Sequence, residues 1–554
     1  MRRFILKKSI LFICALTVFM SCLFIGCNAQ SGCKISLSPT GDNDTKNLRN
    51  AINSLKSGDE LFFEEGTYYI DEPIEIADKK NIKIYSKNAK IVRTGIDFDG
   101  TTAKDCYVFV LHDSDSVTLS GLTISYDYIT SLSGVVTISD ANSGEVYIKP
   151  NDIYKPTGDE VYCALNTFDK DGKPDMKLEK YNNNGFETTL LKNGTIKLSG
   201  LDYYEAGLLI DGTMVGLRAF LSSDGVIQVS SCNNVEFNKI TVHNSFSGVF
   251  FVNGRTNNLT LKQVDISPEN ESSLFSSNAD GLHISSMGGH LTVKDCNFVK
   301  LGDDCVNVHG MGYTITGLSG NMFKAYNERY KVFAMHDWAN VGDEIEFYDK
   351  DSFKLLGTAK LKKFSLVGGK MTFDSLPEGV ENGDIISNKT LHPSVEINNC
   401  NVDSNRARAF LIQTEDAVIK NCDIKNTRLA AILISPDISY WNEMSPGRKI
   451  NIINNTITNC GIGADSAIVT AASHDMNVKY PADVNRDISI TRNTFNNCPT
   501  ALKAASVIGL SFTENILNGI GTPDFEYAVI TNRCEDVNIG ENSLNNCTVE
   551  LCPQ

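Results

Sequence analysis

The sequence predicts an all-β chain, a right-handed parallel β-helix interrupted by two small inserted β-barrel or sandwich domains. A pattern of apolar-x-apolar-x-x-(Cys or Asn)-x-apolar recurs at 291–298, 395–402, 417–424, 450–457, 488–495, 510–517 and 537–544. The marked position is Cys296, Cys400, Cys422, Asn455, Asn493, Asn515 and Asn542 in turn, while earlier copies carry Ile240 and Val264 there. Alternation of period two marks short strands, and recurrence marks strands that stack. The intervals are 24 residues from Ile240 to Val264 and 22 from both Cys400 to Cys422 and Asn493 to Asn515, so one turn takes a little over twenty. Intervals about ten longer imply loops extruded at a corner, and parallel crossovers are right-handed. Finally, 118 residues separate Leu122 from Ile240 and 104 separate Cys296 from Cys400, far more than one or two turns need.

From the N-terminus, Arg2, Arg3, Lys7 and Lys8 precede an apolar run at 10–25, too short and too asymmetrically flanked for a membrane span. It reads as an export signal over 1–26. Phe24-Ile25-Gly26-Cys27 resembles a bacterial lipobox, so Cys27 is expected to be acylated with palmitate-type chains and to anchor the protein to a bacterial membrane, facing the periplasm or the exterior. An ordinary cleaved signal is the alternative.

Residues 27–125 are expected to form a cap and the first turns. Helical spacing at 45–55 would close the open end, whose strand groups are otherwise unpaired. The excess segments at 126–217 and 310–392 contain short alternating strands with turn signals, such as 134–138, 144–148 and 194–198, and read as the two inserted domains. Coil turns occupy 218–309 and 393–554. Asn at the repeated corner would hydrogen-bond along the stack, and Cys would fill the same space as a small apolar group, so free thiols are expected rather than a disulfide framework. Lys and Arg number 51 against 67 Asp and Glu, a net charge of −16 that argues against a nucleic-acid partner and mildly against a polyanionic substrate.

The candidate site lies at Asn278-Ala279-Asp280-Gly281 and Gly302-Asp303-Asp304. Asp303 and Asp304 stand seven and eight residues after Cys296. Asp280 stands sixteen after Val264; subtracting nine extra residues around 268–277, on a turn of 23, brings its offset to seven. Three carboxylates on adjacent turns, about 4.8 Å apart, repel, so at least one should hold a proton near neutrality. A protonated acid beside ionised carboxylates is what glycoside hydrolysis uses. Solvated turns and a calcium site are the competing readings. Arg406 and Arg408, six and eight residues after Cys400, should flank the aspartates one turn on, binding sugar hydroxyls or forming structural ion pairs. Trp441 and Glu443 follow Ser435-Pro436 in a loop and Trp338 lies in the second insertion, candidates for sugar contact. His283 and His309 read as supporting or core residues, and no His/Cys spacing supports zinc.

The aspartate motifs resemble those of polygalacturonases of the pectin-lyase fold, but the Gly-His-Gly and Arg-Ile-Lys motifs of those enzymes are not in place. Together with the export signal and the two insertions, the chain more closely resembles family 110 of the glycoside hydrolases, bacterial exo-acting α-1,3-galactosidases. That resemblance implies hydrolysis of terminal α-1,3-linked galactose from blood-group-B-type or linear Galα1-3Gal glycans, inversion of the anomeric centre, and no metal or other cofactor. It implies Asp303 as general acid, with Asp280 and Asp304 holding and deprotonating water. An inverting site needs carboxyls about 6.5–9.5 Å apart, which neighbouring turns allow. A uronate-polymer glycosidase and a non-enzymatic glycan-binding surface lipoprotein are the alternatives.

Overall fold

A computed structural model of the chain describes residues 32–151, 155–181, 185–220, 222–438, 440–471 and 484–552. The expected export signal over 1–26 and Cys27 lie outside them. Among the described residues no helix is long and apolar enough to cross a membrane.

The chain is a right-handed parallel β-helix. One face is an eleven-stranded parallel sheet in strict chain order, from Ile74–Ala77 to Val529–Asn532. The remaining faces form a second sheet of 23 strands. Alternation decides which side chains fill the coil: Leu282 and Ile284, then Val306 and Val308, point inward with no exposure, which turns His283 and Asn307 outward on the same strands. Stacked inward residues form one continuous apolar core along the coil. The helix Thr45–Ser54 packs Leu48 and Ile52 into the core at the N-terminal end.

Along the corner, the Asn493 backbone N–H donates to Asn515 Oδ1 at 2.9 Å, Asn455 N–H donates to Asn493 Oδ1 at 2.9 Å, and Cys422 N–H donates to Asn455 Oδ1 at 2.9 Å. Each buried Asn side chain also donates to a carbonyl of the preceding turn, as Asn493 does to Ile452 at 2.9 Å. Every polar group at this dry corner thus finds a partner one turn away. Where the ladder changes to cysteine, the thiols donate to backbone carbonyls, Cys296 to Lys294 at 3.3 Å, Cys400 to Val293 at 3.6 Å and Cys422 to Lys420 at 3.3 Å. Twelve described cysteines are free. Cys33 departs from the expectation of free thiols, being disulfide-bonded.

Two antiparallel sheets leave the coil. Seven strands between Ser131 and Ala219 pair as an open path, from Pro174–Tyr181 at one end to Glu187–Leu190 at the other. Eight strands between Gly312 and Asn388 enclose a separate apolar core that includes Trp338. The coil closes its register across each excursion: Phe109 pairs Ile227, and Val306 pairs Phe410.

Candidate active site

Asp280 and Asp304 end the corners that feed Leu282–Ser285 and Val306–His309, and the parallel pairing of those strands sets the aspartates turn over turn. The Asp304 backbone N–H donates to Asp280 Oδ1 at 3.0 Å, and the Gly281 N–H donates to the Asp304 carbonyl at 2.9 Å. The column continues to Arg408, whose N–H donates to Asp304 Oδ1 at 3.0 Å and whose Nη1 reaches both Asp304 oxygens at 3.1 and 3.0 Å. Asp280 therefore stands opposite Asp304, one residue from the expected offset. The coil here takes 24 residues per turn, Leu282 to Val306, not 23, so the long turn carries eight extra residues rather than nine. Glycine is required beside these aspartates because the turns nearly touch: a Cβ on Gly281 would lie 2.6 Å from the Cys305 carbonyl oxygen, and one on Gly302 would lie 2.6 Å from the Asn278 backbone.

One oxygen of each of Asp280, Asp303 and Asp304 lies within 4.8 Å of the others. This is tighter than the gap of about 6.5–9.5 Å expected for an inverting pair. The groups differ in environment: the Asp303 side chain is 41% exposed and that of Asp304 is 3% exposed. Burial, then the charges of Asp303 and Asp304, pushes Asp280 well above the carboxylate range. Burial also raises Asp304 to about 6, against the pull of Arg408. Near neutrality the cluster thus carries a proton on the Asp280–Asp304 side.

Arg406 turns from the cleft. Its Nη2 lies 3.1 Å from Asp303 Oδ2, its Nε donates to the Gly302 carbonyl, and its Nη1 donates to Glu179. Glu179 belongs to the first inserted sheet and also accepts from Arg428. Burial works against this carboxylate, but Arg406 and Arg428 outweigh it and hold it below its usual range. Arg218 of the same sheet donates to the Asn278 carbonyl at 3.0 Å, and the Asn278 side chain donates to the carbonyls of Thr130 at 2.9 Å and Ala219 at 3.2 Å. The insertion is thereby fastened to the corner that precedes Asp280. Glu179 and Arg218 had no place in the sequence expectation, because the insertion shares no register with the repeat; Arg428, six residues after Cys422 as Arg406 is after Cys400, is one the repeat itself could have found.

The aspartates open into a cleft of about 710 Å³ that also meets Arg408, His283, His309, Asn307, Tyr330 and Glu443. His283 and His309, expected as supporting residues, line this cleft instead, because alternation turns both outward from their strands. Asn307 presents a buried Oδ1 that no described residue satisfies. Trp441 is 42% exposed at the rim, stacked edge-on against Tyr440 with Arg329 4.5 Å over its ring. Trp338 also borders the cleft but is 3% exposed, its Nε1 donating to the Met311 carbonyl at 3.0 Å, so its ring face is spent on the insertion's own core rather than offered to a ligand. Glu443 arrives through a pair of backbone hydrogen bonds with Asp437 at 3.0 Å each.

A family model for glycosyl hydrolases family 28 matches residues 220–321, the segment holding all three aspartates. Alpha-1,3-galactosidase B of Bacteroides thetaiotaomicron is 26% identical over 447 residues, 74% of this chain and 72% of that protein. The chain is a relative of the bacterial alpha-1,3-galactosidases. Alpha-1,3-galactosidase A of Bacteroides fragilis is likewise 26% identical, over 48% of this chain and 45% of its own length. Among solved structures, the catalytic domain of a GH87 alpha-1,3-glucanase aligns with 95% of this chain and 69% of its own at 11% identity and a TM-score of 0.47. The Yersinia enterocolitica family 28 exopolygalacturonase aligns with 93% and 76% at 11% identity and a TM-score of 0.41.

Proposed function

We propose that the protein is an exo-acting glycoside hydrolase that removes terminal α-1,3-linked D-galactose from glycans, of blood-group-B type, linear Galα1-3Gal type or both. The observation that carries this reading is the cluster of three carboxylates in one cleft, Asp304 buried and Asp280 and Asp303 partly exposed, in a chain whose relatives are named alpha-1,3-galactosidases.

Asp303 is the carboxyl that a glycosidic oxygen can reach, and we assign it the general acid. A sugar seated over it displaces its water, and desolvation favours the protonated form. The cluster's proton is thereby drawn from Asp280 and Asp304 to the group that touches the leaving oxygen. Asp280 and Asp304, left ionised, hold a water and take its proton as it attacks C1. Arg408 keeps Asp304 in place, Asn307 meets a sugar hydroxyl, and Trp441 stacks on the acceptor side. On this reading the anomeric centre inverts. The close spacing of the carboxyls favours the other course, retention, in which one of them attacks C1 directly.

Proton NMR of the purified protein with a branched B-type trisaccharide, linear Galα1-3Gal and polygalacturonate, followed from the first seconds, tests these points together. Early β-galactose establishes α-galactosidase action with inversion, early α-galactose establishes retention, and release of uronate alone overturns the galactosidase reading. We also propose export and lipid anchoring through Cys27. Metabolic labelling with a palmitate analogue should mark the protein in a bacterial host, and Cys27→Ala should abolish the label; equal labelling of that variant rules the anchor out.

A further inference from the structure

We propose that His283, His309 and Glu443 form a binding site for a divalent transition-metal ion of the zinc class, separate from the aspartate cluster and independent of the galactosidase reading. The three groups come from three places in the chain: two successive turns of the coil and the loop that follows Pro436. Each offers one ligand atom within 4.8 Å of the other two. His309 Nε2 lies 2.9 Å from His283 Nε2 and 3.6 Å from Glu443 Oε1.

The orientation of these groups is set by their outer contacts. His309 Nδ1 lies 3.2 Å from the Gly310 carbonyl, which can only accept, so the ring proton sits on Nδ1 and Nε2 presents a lone pair to the cleft. A ligating histidine is ordinarily held this way, its second nitrogen donating to a backbone carbonyl or carboxylate. Glu443 is held likewise: Gln413 Nε2 donates to its Oε2 at 3.0 Å, leaving Oε1 toward the histidines.

In the free protein His283 Nε2–H donates to His309 Nε2. Binding requires only that His283 carry its proton on Nδ1 instead, a tautomer change with no proton released. Two nitrogens 2.9 Å apart, each about 2.0–2.1 Å from an ion, subtend roughly a right angle there. Glu443 supplies the third ligand and the negative charge, and the cleft leaves further positions for water. The ligand set, two imidazoles and a carboxylate, suits zinc-like ions rather than calcium or magnesium, which prefer oxygen alone.

Equilibrium dialysis of the EDTA-treated full chain against Zn²⁺ should give about one ion per chain at micromolar concentrations. His283→Gln, His309→Gln and Glu443→Gln should each weaken binding at least tenfold, whereas Asp280→Asn should retain it. Cobalt should give the visible absorption of a nitrogen-ligated ion in the parent chain and lose it in His283→Gln, the partly exposed residue of the two histidines, with the circular dichroism of the variant unchanged. Lack of saturable binding overturns the proposal. So does binding lost in Asp280→Asn and kept in both histidine variants, which places the ion on the aspartates.

Discussion

Asp303 is open and paired to Arg406, Asp280 is half-buried against Asp304, and Asp304 is buried and clamped by Arg408. Asp303→Asn is therefore expected to cut turnover by about 10³-fold, in the range that loss of a general acid ordinarily costs, with galactose binding by calorimetry kept; retention of more than a tenth of the activity would remove Asp303 from the mechanism. The pH dependence follows from Asp304. As pH falls through about 6, Asp304 takes up a proton, and with the cluster's first proton already committed the water loses its base. The kcat/KM profile should drop on the acid side of that value. Arg408 holds the Asp304 carboxylate down, so Arg408→Met should move the acid limb to higher pH; an unmoved limb would assign it to another group. How far this site is legible in sequence depends on where each residue sits. Asp280 and Asp304 meet through the repeat, so counting brings them together to within one residue, and the error came from the assumed turn length. Glu443 and Glu179 reach the site from a loop and from an insertion. No spacing rule links them to the coil: Glu443 is a candidate in sequence only by its place in a loop, and Glu179 emerges only from the tertiary path.

The corner ladder shows what an element of this fold can and cannot tolerate. Asn493 accepts from the turn before, donates to the Ile452 carbonyl and to Asn515, and has no exposure. Asn493→Ala leaves buried N–H and C=O groups without partners, each costing about 1–3 kcal/mol. We expect the urea midpoint to fall, with faster hydrogen exchange concentrated in the two adjoining turns, since stability in such stacks is passed between neighbours; uniform loosening of the whole chain would contradict a local role. The first inserted sheet, by contrast, acts on the cleft at a distance, through Glu179 on Arg406 and then Asp303. Glu179→Gln removes the anion from between two arginines and frees Arg406 to shift. Turnover should drop about 10- to 100-fold, as sub-ångström displacement of a reacting group does, with KM changed less than about twofold; a rise in KM at constant kcat would instead make the insertion a binding element. Strand alternation in this sheet was readable in sequence, whereas its attachment to the Asp280 corner rests on Arg218, a polar side chain with no distinguishing pattern, and on Asn278, whose place in the aspartate motif does not point to a partner in the insertion.

At the scale of the whole molecule, a single core runs the length of the coil, and nine of the free cysteines are buried in it or in the first inserted sheet while Cys534, Cys547 and Cys552 near the C-terminal end are partly open. Alkylation of the native protein followed by peptide mapping should label those three and spare the nine until denaturant is added; early labelling at Cys400 would mean that the middle turns open more readily than the end. The coil architecture was the most legible feature of all, because one pattern repeats until chance is excluded, while the paths of the two excursions depend on antiparallel pairings that share no period. The second excursion also bears on how the protein is made. Asp304 and Arg408 are neighbours across one turn yet 104 residues apart in the chain. At a synthesis rate of about 5–20 residues per second, the aspartate leaves the ribosome roughly 5–20 s before its cation exists. The nascent chain must hold an unfinished turn, edge exposed and carboxylates uncompensated, until the intervening sheet has emerged, and that interval is where a chaperone would find it.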